Sequence, residues 1–235
     1  VARSFDFLLS VSPINTREAS EIFFASGEDE APKFRYRPLT VDPDGAKRDL
    51  YAVDLSILED PLLERLLSEK RQELDHQLTM LTTRNTASFQ AASILQYGTV
   101  SSRLLEDAHA ILARPQGRKV RGERIGPVEV ADAARALIDQ YRELDRRFAA
   151  AVEVRDDVAG LLVSGGKLMI ASNTAMLRSR LEALLAHEVS VHLLTFFNGA
   201  AQGLTVFRTG LAGYEGVQEG LGVFAEWAVG GLSEA

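Results

Sequence analysis

The strongest constraint on this chain is the string His187-Glu188-Val189-Ser190-Val191-His192, set inside the apolar run Leu181 to Phe197. A stretch of that length and pattern reads as a helix. Zinc takes neutral histidine nitrogens, and a glutamate beside the first imidazole is placed to accept a proton from the metal's water. The chain has no cysteine, so disulfides and thiolate-held zinc are excluded and any metal must rely on histidine and carboxylate. A catalytic zinc site usually has three protein ligands plus a water. Glu219, in Gln218-Glu219-Gly220-Leu221, opens another apolar helical stretch and is the candidate third ligand.

The histidines are five residues apart, not the usual four of zinc-peptidase helices. At about 100° per residue, an ordinary helix would set them roughly 140° apart, on different faces. One wider turn of about 4.4 residues brings them back to roughly 50°, and such π-type turns are frequent at functional sites. The spacing therefore predicts a local widening of the helix between Glu188 and His192.

These motifs resemble a known family. HEVSVH and QEGLG are similar to the paired motifs of the bacterial QEGLA-motif proteins, flavohaemoglobin expression-modulating proteins catalogued as a domain of unknown function. Those are related to the microtubule-associated tyrosine carboxypeptidases, with their H-E-x-x-x-H and later E-G-L-A. The stretches YRPLTVDPDGAKRDLYAV, EKRQELDHQLTML, LQYG and TGLAGYEGVQEGL share the likeness. Gly222 stands where the family usually has Ala, a change expected to leave the metal undisturbed. The resemblance implies a zinc (Zn2+) carboxypeptidase with a zincin-like core, acting on the C-terminus of a peptide or protein. It also implies further helical sequence beyond the 16 residues that follow Glu219 here, so a C-terminal part of the family is expected to be absent. In the tyrosine carboxypeptidases an Arg follows the second motif His by three positions. Here that position is Thr195, which puts tyrosine specificity in doubt.

A chain of 235 residues can bury a substantial core. Net charge is −7 and the pI about 5.2, which argues against nucleic acid or an anionic membrane as the main partner. No apolar run is long enough to span a bilayer, and no secretory h-region follows the N-terminus. Cytoplasmic residence is the simplest expectation.

Along the chain, Thr16 is read as the cap of a short helix through Ser26. Gly27 to Lys33 is acidic and turn-like, and Phe34 to Thr40 is a strand or extended arm. Asp42-Pro43-Asp44-Gly45 has turn chemistry. Asp60-Pro61 is an N-cap followed by Pro at the first helical position, opening a helix over 61–83 with Leu62, Leu66, Leu74, Leu78 and Leu81 on one stripe. Helices follow near 86–97, 100–113 and 128–148, with Arg114 to Gly126 a basic loop. His76 and His109 read as packing or surface residues.

Leu161-Leu162-Val163 and Leu168-Met169-Ile170, around Ser164-Gly165-Gly166, predict a β-hairpin beside the metal helix. Its edge could pair with an extended peptide. Ser172, Asn173 or Thr174 is expected to cap the metal helix and Asn198-Gly199 to end it. A Gly-rich loop over 199–216 returns the chain, and a helix from about 217 to 229 stops at Gly230-Gly231. The expected class is α+β, mainly α-helical. A helical region over 1–150 and a zinc-binding region over 151–235 are read as one unit.

The chemistry expected is amide hydrolysis, with His187, His192 and Glu219 on zinc and Glu188 as general base. Tyr214 is the candidate donor to the oxyanion, and Arg208 or Arg180 the candidate for the substrate carboxylate, with Arg178 considered beside them. Asn198, Gln202 and Glu215 are candidate outer groups. Two alternatives stay open: a zinc-binding regulatory or scaffold module, and a fragment whose apolar last helix, with Trp227, is covered by missing helices, a second copy or a partner.

Overall fold

The computed structural model describes residues 1, 4–29, 31–114 and 121–232. Its helices are α1 Phe7–Val11, α2 Thr16–Ala25, α3 Pro43–Ala52, α4 Pro61–Thr82, α5 Ser88–Tyr97, α6 Ser102–Leu112, α7 Pro127–Leu144, α8 Leu181–His187, α9 Leu194–Ala200, α10 Val206–Thr209 and α11 Glu215–Ala228. The strands are β1 Arg124–Ile125, β2 Ala151–Arg155, β3 Leu161–Ser164, β4 Lys167–Ala171 and β5 Met176–Leu177. The class is α+β and mainly helical, and no helix among the described residues is long and apolar enough to cross a membrane.

Two helices begin with the same device. Asp60 Oδ1 accepts from the Leu62 and Leu63 amides at 2.8 and 3.1 Å, with Pro61 at the first position of α4. Asp42 accepts from the Asp44 and Gly45 amides at 3.2 and 3.0 Å, with Pro43 opening α3. The turn expected at Asp42-Pro43-Asp44-Gly45 is therefore a helix start: the side-chain carboxylate satisfies amides that a helix's first turn leaves free. The cap assigned to Thr16 moves to Asn15. Asn15's side chain instead holds the following arm, donating to Lys33 O at 3.0 Å and accepting from Arg35 N at 2.7 Å. That arm, 34–40, is extended but unpaired as a strand. Arg84 stacks over Tyr36, 4.9 Å from its ring centroid.

The central sheet runs β2-β4-β3. β3 and β4 form the expected hairpin, with Leu162 opposite Met169 and Val163 opposite Leu168. Gly165 and Gly166 both have positive φ, 59° and 80°, as a two-residue hairpin turn requires. β2 joins β4 in parallel, an arrangement the hairpin reading did not anticipate. β4 is buried on both faces. Leu168 and Ile170 pack with Val130, Ala134 and Ile138 of α7 and with Leu185, Val189 and Leu193. Met169 and Ala171 face Val158 and Leu9.

Ser172, Asn173 and Thr174 do not cap the helix that carries His187. Met176 and Leu177 extend to pair antiparallel with Ile125 and Arg124, and a 3-10 turn over Arg178–Arg180 then leads into Leu181. The basic connector accordingly ends in a strand; its residues 115–120 lie outside the described set. Asn198-Gly199 does not end the helix, which runs to Ala200. Gly199 serves close packing instead: a Cβ there would lie 2.0 Å from Phe207 O.

Candidate metal centre

Between α8 and α9, residues Glu188–Leu193 form a π-helical segment, the widening that the five-residue spacing requires. Leu185, Val189 and Leu193 stay in the core, while His187 and His192 come together with ring centroids 4.9 Å apart. α11 then brings Glu219 across: its Oε2 is 3.4 Å from His187 Nε2 and its Oε1 3.6 Å from His192 Nε2. One ligand atom from each of the three residues lies within 4.8 Å of the others. The imidazoles are largely buried, whereas Glu219 is 61% exposed at the rim.

The donor set fits a divalent cation. Four ligands at zinc–nitrogen and zinc–oxygen bond lengths stand about 3.3 Å apart along a tetrahedral edge, close to the two Glu219 separations. His187 Nδ1 is taken by Glu226 Oε1 at 2.9 Å, which leaves Nε2 for the cluster. Burial lowers the pKa of His192, against the pull of Glu219 and a hydrogen bond that the ring donates to the Gln218 side chain, so the ring favours the neutral form that binds metal. Glu188 sits beside the cluster. Burial pushes its carboxyl up to about 7, His187 opposes the shift, and Glu219 and Glu226 add to it.

The cluster opens into a groove of about 990 Å³. One wall is β3, an edge strand, from Leu161 through Ser164. Opposite it, α4 contributes Lys70, Glu73 and Gln77. Lys70 and Glu73 are a buried ion pair, and Lys70 Nζ also donates to Thr209 O at 3.2 Å. This anchors the segment leading to Tyr214. Tyr214 lines the groove, and its ring lies over Gly210 (φ +77°), where a Cβ would be 2.2 Å from Cε1. Burial, with Glu215, Glu73 and Glu219 nearby, pushes the phenol up to about 12, so it remains a proton-bearing donor.

The other candidates separate cleanly. Arg208 and Thr195 line the groove, with Arg208 5.2 Å over the Phe196 ring, and Glu215 lies in the wall. Arg180 does not line it: its guanidinium is committed to Glu226 and to Gly231 O. Arg178 is bound by Glu123 and Glu129. Asn198 and Gln202 are exposed, joined to each other by Gln202 Nε2 donating to Asn198 O at 3.2 Å, and neither lines the groove. Sequence reasoning missed Glu226. Its signal was an acid seven residues beyond Glu219, on the same helical face.

Gly222 lies directly against the His187 ring. A Cβ at this position would stand 2.5 Å from both Cε1 and Nε2 of His187, so an Ala there would disturb a ligand in this chain.

Fold and site together define a mainly helical α+β protein with a two-histidine, one-carboxylate centre beside a groove. The chain belongs to the family described as microtubule-associated tyrosine carboxypeptidase, whose profile matches residues 21–235. That family implies a carboxypeptidase-like activity on a protein or peptide substrate. A search of curated proteins and a search of solved structures each returned no significant match.

Proposed function

We propose that the chain is a zinc-dependent carboxypeptidase with a zincin-like core, hydrolysing a peptide bond near a C-terminus. The observation that carries this reading is the meeting of His187, His192 and Glu219 within 4.8 Å, with the half-buried Glu188 beside them. Bound at these three side chains, zinc would polarise the scissile carbonyl and lower the pKa of water toward about 7. Glu188 takes the proton from the attacking water and passes it to the leaving amine. Tyr214 offers its hydroxyl to the oxyanion. The free edge of β3 can hold an extended peptide by main-chain hydrogen bonds, and Arg208 can receive its terminal carboxylate.

The test combines metal analysis of the purified protein with a peptide library scored for residues released from the C-terminus. Expected are near-stoichiometric zinc and release of single residues. Glu188→Gln should keep the zinc and lose roughly 10²–10⁴-fold in rate. Full zinc occupancy with no residue released from any peptide would remove the peptidase reading.

A second reading draws on α11, where Val217, Leu221, Phe224 and Trp227 are exposed together and Phe224 packs on Trp227 at 5.6 Å. An apolar face of this kind suits a covering chain, as a scaffold or a part of a larger assembly would have. Glu188→Gln separates the two: a scaffold keeps its function without the carboxylate.

A further inference from the structure

The buried acid Glu226 has no part in the proposed chemistry. It is only 8% exposed, and an isolated buried carboxylate is costly unless its oxygens are met. Both are. Oε1 faces His187 Nδ1 at 2.9 Å and Oε2 faces the Arg180 guanidinium. Arg180 also donates to Gly231 O, just past the end of α11. Gly231 allows this approach, since a Cβ there would be 2.2 Å from Ala183 Cβ. Glu219, Gly222 and Glu226 lie at i, i+3 and i+7 of one helix, hence on one face, and all three press on the His187 ring.

We infer that Glu226 is a positioning residue that fixes His187 with its proton on Nδ1, that Arg180 holds Glu226 in place, and that the pair sets how tightly the centre binds zinc. The inference rests on the metal-centre reading above. A ligating imidazole needs its free lone pair aimed at the metal, and the ring can satisfy this only if the other nitrogen carries the proton and has a fixed acceptor. The Glu226 carboxylate is that acceptor. Its charge makes Nδ1–H the favoured tautomer and raises the donor strength of Nε2. Arg180 neutralises the other oxygen, so that the acid stays ionised while buried.

Two readouts test this, one without metal. In metal-free protein at pH 8, ¹⁵N spectra of the His187 ring should report a protonated Nδ1 and a bare Nε2. Glu226→Leu should shift the ring toward the Nε2–H tautomer. In chelator competition, Glu226→Gln should bind zinc about 10- to 100-fold more weakly than the parent chain. Arg180→Met should move affinity in the same direction by a smaller factor. Thermal unfolding of each metal-free variant separates positioning from damage. A normal melting temperature with weakened zinc supports the inference, and an affinity loss that merely follows unfolding overturns it. A His187 tautomer indifferent to Glu226 overturns it as well, whatever the zinc titration gives. A chain that binds no zinc removes the metal-centre reading, whereas zinc bound equally by parent and Glu226→Gln removes only the role of Glu226.

Discussion

Gly222 lies so close to His187 that any side chain at 222 would occupy the space of the imidazole, 2.5 Å from Nε2. The ring cannot retreat freely, because Nδ1 is held by Glu226 at 2.9 Å and Nε2 faces Glu219 at 3.4 Å. For Gly222→Ala two effects compete. Ala gains about 1 kcal/mol of helix propensity. Displacing the ring costs a hydrogen bond to a charged group, roughly 1.5–3 kcal/mol. The net change in metal-free stability should therefore be small, within about 2 kcal/mol of the parent chain. Zinc affinity, which depends on ring placement, should fall about tenfold or more. Denaturant unfolding and chelator competition measured side by side check the split. Undiminished zinc binding would mean the ring has another place to go.

Tyr214 is placed by its packing on Gly210 and by the Lys70–Thr209 anchor behind it. With its phenol held well above neutral pH, it can donate across the working range. If that hydroxyl meets the oxyanion, Tyr214→Phe should lower kcat by roughly 10²-fold or more with KM little changed, since the bond would form only in the transition state. Steady-state kinetics on the best library peptide decide this. A rise in KM at constant kcat would make Tyr214 a substrate-binding residue instead.

The parts legible in advance were those governed by local chemistry. The five-residue histidine spacing demanded a widened turn, and Glu188–Leu193 supplies it. Gly165-Gly166 demanded a hairpin, and β3 and β4 form one. What escaped was decided by partners distant in sequence. Asp-Pro reads as a helix start at Asp60 and as a turn at Asp42, yet the carboxylate caps a helix in both places; at α3 the Gly at 45 suggested a turn, while Ala46 and Leu50 packing on Leu74 and Leu78 favour the helix. Gly199 resembles a helix stop and is a close-packing site against Phe207. The parallel pairing of β2 joins residues 16 positions apart and the Glu226–His187 contact residues 39 apart; helical spacing puts Glu226 on the face of Glu219, but no local pattern says which ring it meets.

The N-terminal arm is fastened to the sheet side by Asp157. Its carboxylate accepts from Arg155 Nη2 at 2.7 Å and lies 2.8 Å from Arg37 Nη2, and Arg37 also donates to Leu9 O. The two guanidiniums hold the Asp157 carboxyl well below the usual carboxylate range, the Arg155 hydrogen bond most of all. A carboxyl with a depressed folded-state pKa stabilises fully above its unfolded value, about 4, and that stability is lost as pH falls through the folded value. Asp157→Asn should therefore cost stability at pH 7 and progressively less below about pH 4. The side chain is partly exposed, so solvent screening keeps the neutral-pH loss near 1 kcal/mol. Urea unfolding at pH 7 and pH 3 checks the sign: an equal loss at both would mean that packing, not charge, is what Asp157 contributes.

The π segment makes a prediction of its own. If it exists to return His192 to the face of His187, removing one residue within it should restore an ordinary helix without separating the ligands. Deletion of Ser190, which is outside the buried core, brings the histidines to a four-residue spacing, roughly 40° apart on a regular helix. It also leaves Leu185, Val189 and Leu193 at spacings of four and three, the ordinary pattern of a buried helical stripe. The deletion should fold, take up stoichiometric zinc and exchange its amide hydrogens through this region as a regular helix does. Inserting one Ala after Ser190 is the opposing control: it sets the ligands six apart, about 120° out of line with each other, and should abolish zinc uptake. Zinc retained by the insertion and lost by the deletion would mean that the wide turn serves something other than ligand alignment.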